Sequence, residues 1–511
     1  MVTNNEHRII FEPDHYLGTK GLLSFYHGAI LLHCHRLELT DAKKRREFTQ
    51  EVVAIYPGLD KPSIERLLLD QVAGITAAKE KAAAAKAEQK DRDYLAETPV
   101  EFITKAKEDL RRPDLFEVIS RDIEALGIAG ESELALLLYI VMTSRKLDNP
   151  LSAIIQGASS SGKSFIIEKL AELIPAEAVL MAHDFTDQAL YYLDEGLLRH
   201  KVVVSGERVN DRYDKDGKAQ DNSKAFREMT ASGVLRKATV VKGDNGKMKT
   251  EIIIQQGPIA YIESTTSPSL HDEDATRLLI LSTDESQEQT ERIGKALRDK
   301  ARGKSMSKDI IQDVINKHHA IQRLLEPLTV RIPYADSLTL PTDKIISRRS
   351  ITQLITAIQT VALFRQFQKI VHGEGEQRYI EADDKDYEIV YPILQKAISQ
   401  KYITLNPLSQ NLLKIICEQV NYDDTFTRRD CEKWTGNSTL AISRQIKPLE
   451  DEGYVQIING TSKPYKYEVC YQEGDKFSPV IPEPEIISER CALMINDNEK
   501  CCSLSTVIND K

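Results

Sequence analysis

Residues 157–164 read Gly-Ala-Ser-Ser-Ser-Gly-Lys-Ser, a complete G-x-x-x-x-G-K-S pattern between an apolar run and a helical run. Small residues allow backbone N–H groups to close around phosphates, and a helix N-terminus adds partial positive charge. The pattern predicts a site for ATP with Mg²⁺, in which Lys163 reaches the β/γ phosphates and the Ser164 hydroxyl is a metal ligand. The predicted phosphate loop consists of Gly157, Ala158, Ser159, Ser160, Ser161, Gly162, Lys163 and Ser164.

Hydrolysis also needs a group that activates water. The run Lys201-Val-Val-Val-Ser-Gly-Glu207 indicates a buried strand that ends in a carboxylate, so Glu207 is the predicted catalytic base. Gly206 stands where an acid is usual, and we therefore expect Ser164 with water, or Asp211, to complete the Mg²⁺ ligands. A rival acid pair, Asp284-Glu285, follows a later strand and is also typical of the start of a helix.

Polar residues follow the next strand, residues 259–266, at the sheet edge where such folds bind ligands. Thr265 or Thr266 is expected to contact the attacking water or the γ-phosphate. Arg277 lies on the loop that comes next and is predicted to act on a neighbouring subunit's nucleotide. A surface ion pair between Arg277 and the nearby acids is the alternative.

Residues 236–257 alternate around Gly243-Asp-Asn-Gly246, which predicts a β-hairpin with Lys242, Lys247 and Lys249 near its tip. Residues 208–250 carry eleven Lys/Arg against six Asp/Glu, in a chain whose net charge is −10. This basic segment is a candidate for contact with a phosphate backbone, and a solvated loop is the plainer interpretation. The hairpin resembles one that precedes the γ-phosphate-sensing strand in superfamily 3 and minichromosome maintenance helicases, where it grips DNA inside a ring.

Alternating strands and helices predict an α/β fold: a P-loop NTPase core of the AAA+-like, additional-strand class at residues 101–305, containing the 236–257 hairpin. A hairpin-and-helix domain is expected before it at 1–75, joined by a helical linker at 76–100. A helical region at 306–400 and a compact unit at 405–471 follow. Residues 472–511 are predicted to be a disordered tail.

The compact unit has three helical runs followed by an alternating hairpin, which predicts a winged helix-turn-helix. Its third helix would present Ser443, Arg444 and Lys447 to DNA, and the wing would bring Lys463 and Lys466 to phosphate. Residues 421–471 carry seven basic and eight acidic residues, so a winged helix that docks protein stays an alternative.

Composition sets further bounds on the chain of 511 residues. The longest uncharged apolar stretch, 134–142, is too short to cross a bilayer, and no secretory signal is visible, so a cytoplasmic location is expected. The seven cysteines form no C-x-x-C pair. His33 and His35 would share one face of a strand, but a metal needs more ligands, so we expect an ordinary solvated strand there.

Together these features resemble a family of bacterial primase-helicase-like ATPases found on phages, plasmids and other mobile elements. The resemblance covers about residues 15–471 and is most specific at 144–156, 187–192, 257–266, 281–286 and Arg348-Arg349. It implies ATP hydrolysis coupled to DNA during replication of an element, with Arg348 or Arg349 as a second γ-phosphate sensor. The zinc-finger primase module of longer members has no counterpart here, so primer synthesis is expected to need a separate partner.

Two functions are compatible with these observations. The first is a DNA-associated, helicase-like motor that forms a homo-oligomeric ring, with a hexamer as a candidate assembly. The second is a nucleotide-switched regulatory or assembly ATPase whose winged helix binds protein or operator DNA. DNA-stimulated ATP turnover would distinguish the two.

Overall fold

The computed structural model describes residues 7–15, 18–183, 185–186, 188–194, 196–208, 224–242, 248–267, 270, 272–304, 306–342, 346–402, 407–420, 424–451, 454–458, 464–470 and 480–491. The chain divides into two compact units, Met1–Glu97 and Thr98–Lys511. In the described part of the chain, no helix combines the length and the apolar character that crossing a membrane requires.

The first unit contains an antiparallel sheet in the order β1-β2-β3, followed by two helices. The elements are β1 His7–Pro13, β2 Lys20–His27, β3 Ile30–Glu38, α1 Ala42–Ile55 and α2 Lys61–Glu97. Asp41 caps α1 by accepting from the backbone N–H groups of Lys43 and Lys44. Leu23 and Phe25 of β2 pack with Phe48 of α1 in a core that Ile64 of α2 completes. Most of the predicted linker, residues 76–97, is thus the later part of α2, and the first turns of this helix pack into the core of the unit.

The second unit is built on a parallel sheet in the order β10-β4-β9-β6-β5. Its strands are β4 Ala153–Gln156, β5 Val179–Ala182, β6 Lys201–Arg208, β9 Ile259–Thr265 and β10 Leu279–Ser282. All seven residues of β9 are buried, as expected of a strand covered on both faces. This strand lies between β4, which leads into the phosphate loop, and β6, which leads to Glu207. The carboxyl ends of β4, β9 and β6 therefore lie at one edge of the sheet.

A hairpin is inserted between β6 and β9. Its strands, β7 Val234–Lys242 and β8 Met248–Gln256, pair antiparallel from Val234↔Gln256 to Lys242↔Met248. Helix α7 Lys224–Ser232 precedes it and packs on its base, where Leu235 is buried. The predicted hairpin 236–257 thus folds as a two-stranded ladder, with Lys247 outside the described residues.

The remaining helices and strands of the second unit complete the sheet's surroundings and the compact unit near the C-terminus. They are α3 Val100–Leu110, α4 Leu115–Ala125, α5 Ser132–Thr143, α6 Lys163–Ala171, α8 Asp272–Arg277, α9 Gln287–Ala301, α10 Lys308–Leu324, β11 Thr329–Arg331, α11 Ser347–Phe364, β12 Tyr379–Glu381, α12 Asp384–Tyr402, α13 Pro407–Gln419, β13 Thr425–Thr427, α14 Arg428–Thr435, α15 Thr439–Asp451, β14 Val455–Ile457 and β15 Lys466–Val469.

Residues 407–470 have their own core. Helices α13, α14 and α15 enclose Ile416, Phe426 and Ile446, and an antiparallel sheet in the order β13-β15-β14 covers them. Thr427 and Asp430 form a reciprocal capping box at the start of α14, and Gly436, with φ of 70°, ends this helix. The elements thus follow the order helix, strand, helix, helix, hairpin.

The tail predicted to be disordered from residue 472 is packed at residues 480–491, and the prediction is wrong for that segment. Ile481 and Ile487 are fully buried, and the Tyr387 hydroxyl donates a hydrogen bond to the carbonyl of Pro482. Burial of these two isoleucines therefore holds the segment in place, although it also contains Pro482 and Pro484. The other residues of the tail lie outside the described part of the chain.

Candidate nucleotide site

The phosphate loop connects β4 to α6 and has the backbone of an anion cradle. Gly162 takes a left-handed conformation with φ of 90°, and Ser160 also has a positive φ, of 69°. No side chain caps the N-terminus of α6, so its first N–H groups point into the loop. This arrangement fits the phosphates of a nucleotide.

Lys163 is the first residue of α6, and its side chain turns back into the loop. Its Nζ donates to the carbonyl oxygens of Gly157, at 2.9 Å, and Ala158, at 2.7 Å. The residue is only 6% exposed. Burial and two hydrogen bonds hold the ammonium next to the cradle. Ser164, on the first turn of α6, is exposed to solvent, and its role as a Mg²⁺ ligand stays a prediction.

The segment after β10 supports the loop from one side. Glu285 Oε1 accepts from the backbone N–H of Ala158 at 2.5 Å, and Thr283 Oγ1 donates to Ser161 Oγ at 3.0 Å. Ser286 caps α9, and its own N–H donates to Asp284 Oδ1. Hydrogen bonds from the backbone N–H and the side chain of Ser286 lower the pKa of the Asp284 carboxyl. The rival acid pair thus precedes a helix cap, and one member contacts the start of the phosphate loop.

Glu207 is exposed at the carboxyl end of β6 and pairs in register with Ser264 of β9. The ladder is irregular just before it, between Val204 and Glu207. A Cβ atom at Gly206 would lie 2.1 Å from the carbonyl oxygen of His183. The close approach of the chain after β5 excludes any side chain at position 206. It thereby explains why the usual acid is missing, and Asp211, the suggested substitute, lies outside the described residues.

The two threonines at the end of β9 differ in their surroundings. Thr265 is fully buried, its hydroxyl accepts from the N–H of Ser267, and its carbonyl accepts from the N–H of Gly157 at 3.3 Å. Thr266 is exposed at the sheet edge. Thr265 thus holds β9 against the phosphate loop, and Thr266 is the better placed of the two to contact a ligand.

A buried ionic cluster beside Glu207 was not predicted. Arg208 binds Glu263 through two contacts, Nη2 to Oε1 at 2.6 Å and Nε to Oε2 at 3.0 Å. It also reaches Asp274 of α8, and the Tyr261 hydroxyl donates to Glu263 at 2.8 Å. Glu263 and Asp274 are each 2% exposed. Burial raises the pKa of Glu263, whereas Arg208 and Tyr261 oppose that shift. The sequence does contain a signal for this cluster, because Glu263 is the one charged residue of the buried strand β9.

Arg277 ends α8 and is half-buried. Its Nη1 donates to the carbonyl of Arg227 at 2.9 Å, and its own carbonyl accepts from Gln353 of α11. Arg348 and Arg349 are exposed in the first turn of α11, and Arg349 donates to the Thr276 hydroxyl. The structure therefore brings Arg277 and Arg349 to the same small helix, α8. Their roles toward a nucleotide stay predictions.

The predicted DNA-binding residues that the structure describes lie in two separate regions, the β7–β8 hairpin and residues 407–470. Lys242 and Lys249 belong to the ladder of β7 and β8, whereas Lys247 and Lys463 lie outside the described residues. Arg444 and Lys447 are exposed on α15, and Lys466 is exposed on β15. Ser443 is turned inward instead, since it accepts from Arg428 Nη1 at 3.0 Å. Arg428 also binds the Tyr467 hydroxyl, so Ser443 is part of the packing between α14 and α15.

The second unit matches a known family over part of its length. The model of a family described as "MTBMA_p00010 P-loop domain" matches residues 103–325, less than half of the chain. This range contains the whole parallel sheet and the phosphate loop. The match and the fold together define a P-loop NTPase domain of α/β architecture, consistent with nucleotide binding. No curated protein matches the chain.

Proposed function

We propose that this chain is an ATP-hydrolysing, helicase-like motor of the AAA+-like, additional-strand class that acts on DNA during replication or processing of a mobile element or phage. The position of Glu207 carries the proposal. This acid is the penultimate residue of β6, and β9 lies between β6 and the strand that leads into the phosphate loop. A carboxylate at this point faces the same sheet edge as the cradle, where water can attack a terminal phosphate.

Each residue has a distinct part in the proposed reaction. The loop N–H groups and Lys163 bind the phosphates and stabilise charge that develops on them. Mg²⁺, held by the Ser164 hydroxyl and by water, supplies further charge neutralisation when it is bound. Glu207 accepts the proton of the attacking water, and Thr266 orients that water or the γ-phosphate. Arg208, fixed by Glu263 and Asp274, positions the end of β6 that carries Glu207.

Three features support DNA as the substrate. Residues 208–250 have an excess of five positive charges, eleven against six, and they include β7 and the first residues of β8. The order of elements in 407–470 is that expected of a winged helix-turn-helix. Arg444 and Lys447 are both exposed on α15, the helix that would enter a groove.

The decisive experiment measures ATP turnover with and without DNA. We expect DNA to raise turnover in wild type, and Lys163→Ala and Glu207→Gln to abolish it. Lys169→Ala is the matched control, because Lys169 is on the same helix and pairs with Glu172 outside the loop. An unchanged wild-type rate with DNA, together with no strand separation, would rule out the motor.

Action of Arg277 in trans can be tested by mixing variants. Arg277→Ala keeps an intact phosphate loop, and Lys163→Ala keeps an intact Arg277. If the chain forms a ring whose subunits share sites, the mixture recovers turnover that neither variant has alone. Recovery would require Arg277 to leave the carbonyl of Arg227. A mixture that is no more active than the sum of its parts would restrict Arg277 to its own chain.

A nucleotide-switched regulatory or assembly ATPase is the second candidate. The balance of seven basic and eight acidic residues in 421–471 favours it, as does the inward position of Ser443. This function predicts slow turnover that DNA does not stimulate. It also predicts that binding of a protein or operator by 407–470 changes with the bound nucleotide.

A further inference from the structure

Two histidines of β3 and one glutamate of α1 converge in the first unit. His33 and His35 are two residues apart and share one face of the strand. Glu51 Oε2 lies 2.9 Å from His33 Nε2 and 3.1 Å from His35 Nδ1. The third potential metal ligand, which the spacing of the histidines does not supply, is therefore Glu51 of α1, 16 residues after His35.

The distances within this cluster are compatible with a metal site. One ligand atom from each residue lies within 4.8 Å of the other two. Tetrahedral Zn²⁺ with bonds of about 2.0–2.1 Å places neighbouring ligand atoms roughly 3.3 Å apart. The two measured contacts are close to that separation, so an ion can enter with small side-chain rotations.

The cluster is held in place on one side and open on the other. The His33 ring packs against Phe48, with ring centroids 5.3 Å apart. The side chain of His33 is 20% exposed, whereas those of Glu51 and His35 are 42% and 43% exposed. The open side leaves room for water or another ligand in a fourth position. Two imidazole nitrogens and one carboxylate oxygen are the ligands that zinc-class ions share in proteins.

The electrostatics also favour a cation. Glu51 supplies a carboxylate that contacts both imidazoles. A second carboxylate, that of Glu47, lies one turn earlier on α1. Its Oε1 is 3.8 Å from Lys43 Nζ, so part of its negative charge is already paired.

We propose that His33, His35 and Glu51 bind one divalent transition-metal ion of the zinc class, which joins β3 to α1. This site is separate from the Mg²⁺ expected at Ser164 and is independent of the proposed function. An ion bound only by the folded state raises its stability, so the bound ion strengthens the contact between β3 and α1.

The experiment uses the full chain without a polyhistidine tag, after removal of metals with a chelator. Calorimetric titration with Zn²⁺ should show one more equivalent bound by wild type than by Glu51→Gln or His35→Ala. Affinity at this site should fall at least about tenfold in each variant. Zn²⁺ should raise the midpoint of thermal unfolding of wild type and not that of Glu51→Gln.

Matched controls separate this cluster from other ligands. His15→Ala removes an exposed histidine outside the cluster, and Cys34→Ser removes the thiol between the two histidines. Both should keep the bound equivalent. Co²⁺ should give visible absorption bands without the thiolate bands that a cysteine ligand produces.

Two outcomes would overturn the proposal. One is a wild-type chain that binds no stoichiometric Zn²⁺. The other is an equal stoichiometry and affinity in Glu51→Gln and His35→Ala, which would leave only a hydrogen-bonded trio. The His35 side chain is 43% exposed, so its replacement is expected to keep the fold, and far-ultraviolet circular dichroism checks this for each variant.

Discussion

The guanidinium of Arg208 and the carboxylate of Glu263 meet at two points, 2.6 and 3.0 Å, in the interior beside the end of β6. Arg208 directly follows Glu207, and Glu263 lies on β9. The pair therefore links the strand that carries the predicted base to the strand that contacts the phosphate loop.

Replacement of Arg208 by Lys should weaken both the fold and the reaction. Lysine keeps the charge but cannot make the two-point contact, and removal of one partner of a buried pair costs about 3–5 kcal/mol. We expect Arg208→Lys to lower the free energy of unfolding in urea by about 2–3 kcal/mol and to reduce ATP turnover at temperatures where it is folded.

Arg302→Lys is the matched control, because Arg302 is exposed and lies 3.8 Å from Asp299. An exposed pair of this kind contributes less than about 1 kcal/mol. Equal effects of the two substitutions would contradict a special role for the buried pair.

Gly206 should tolerate no side chain. Its Cβ would meet three backbone atoms of His183 at 2.9 Å or less, and backbone cannot move aside as a flexible side chain does. We expect Gly206→Ala to destabilise the second unit by about 1–3 kcal/mol. Gly206→Asp should be worse and should not strengthen Mg²⁺ binding. Thermal unfolding and Mg²⁺ dependence of turnover measure the two effects.

Gly294→Ala is the contrasting variant in the same unit. Its Cβ would meet only the end of the Arg298 side chain, at 3.1 Å. Since alanine favours a helix interior over glycine by about 1 kcal/mol, this change should be neutral or stabilising. Loss of stability in Gly294→Ala and not in Gly206→Ala would refute the steric argument.

Lys401 should make stability depend on pH. Burial lowers its pKa to about 7, and Arg349 adds to the shift, while its Nζ donates to Gln353 Oε1 at 2.7 Å. The unfolded chain holds this proton up to its ordinary pKa of 10.5. The destabilisation is therefore complete below pH of about 7 and disappears as pH rises toward about 10.

We expect Lys401→Met to be more stable than wild type at pH 6, by more than about 1 kcal/mol. The gain should shrink steadily up to pH 10, because the wild-type lysine loses its charge over this range. At pH 10 the variant still lacks the hydrogen bond that Lys401 donates to Gln353. Lys396→Met, at an exposed position on the same helix, is the control. A stability difference that stays constant across this range would contradict the buried charge.

Glu285→Gln should tighten ATP binding. The carboxylate accepts from the N–H of Ala158, the second residue of the phosphate loop, and at this position it repels phosphate. Glutamine keeps a hydrogen-bond acceptor and removes the charge. We expect about a threefold to tenfold lower Kd at low salt, with a smaller gain at high salt because ions screen the repulsion. Titration with a fluorescent ATP analogue measures this, and exposed Glu288→Gln should leave the Kd unchanged.

Local patterns in the sequence determined much of the nucleotide site. The phosphate loop, the strand ending at Glu207 and the hairpin each depend on residues that are close in the chain, so spacing and turn chemistry suffice to predict them. The capping box of α14 and the alternation of β14 and β15 are equally local.

Tertiary structure alone decided the contacts between distant segments. The glycine at position 206 is explained by the backbone of His183, which directly follows β5. Arg208 pairs with Asp274, which lies 66 residues further along the chain. Glu51 completes the histidine pair from another element, and burial sets the pKa of Lys401. The physical reason is the same in each case: steric exclusion, ion pairing and desolvation depend on which groups the fold brings within a few ångströms, and spacing along the chain does not encode that.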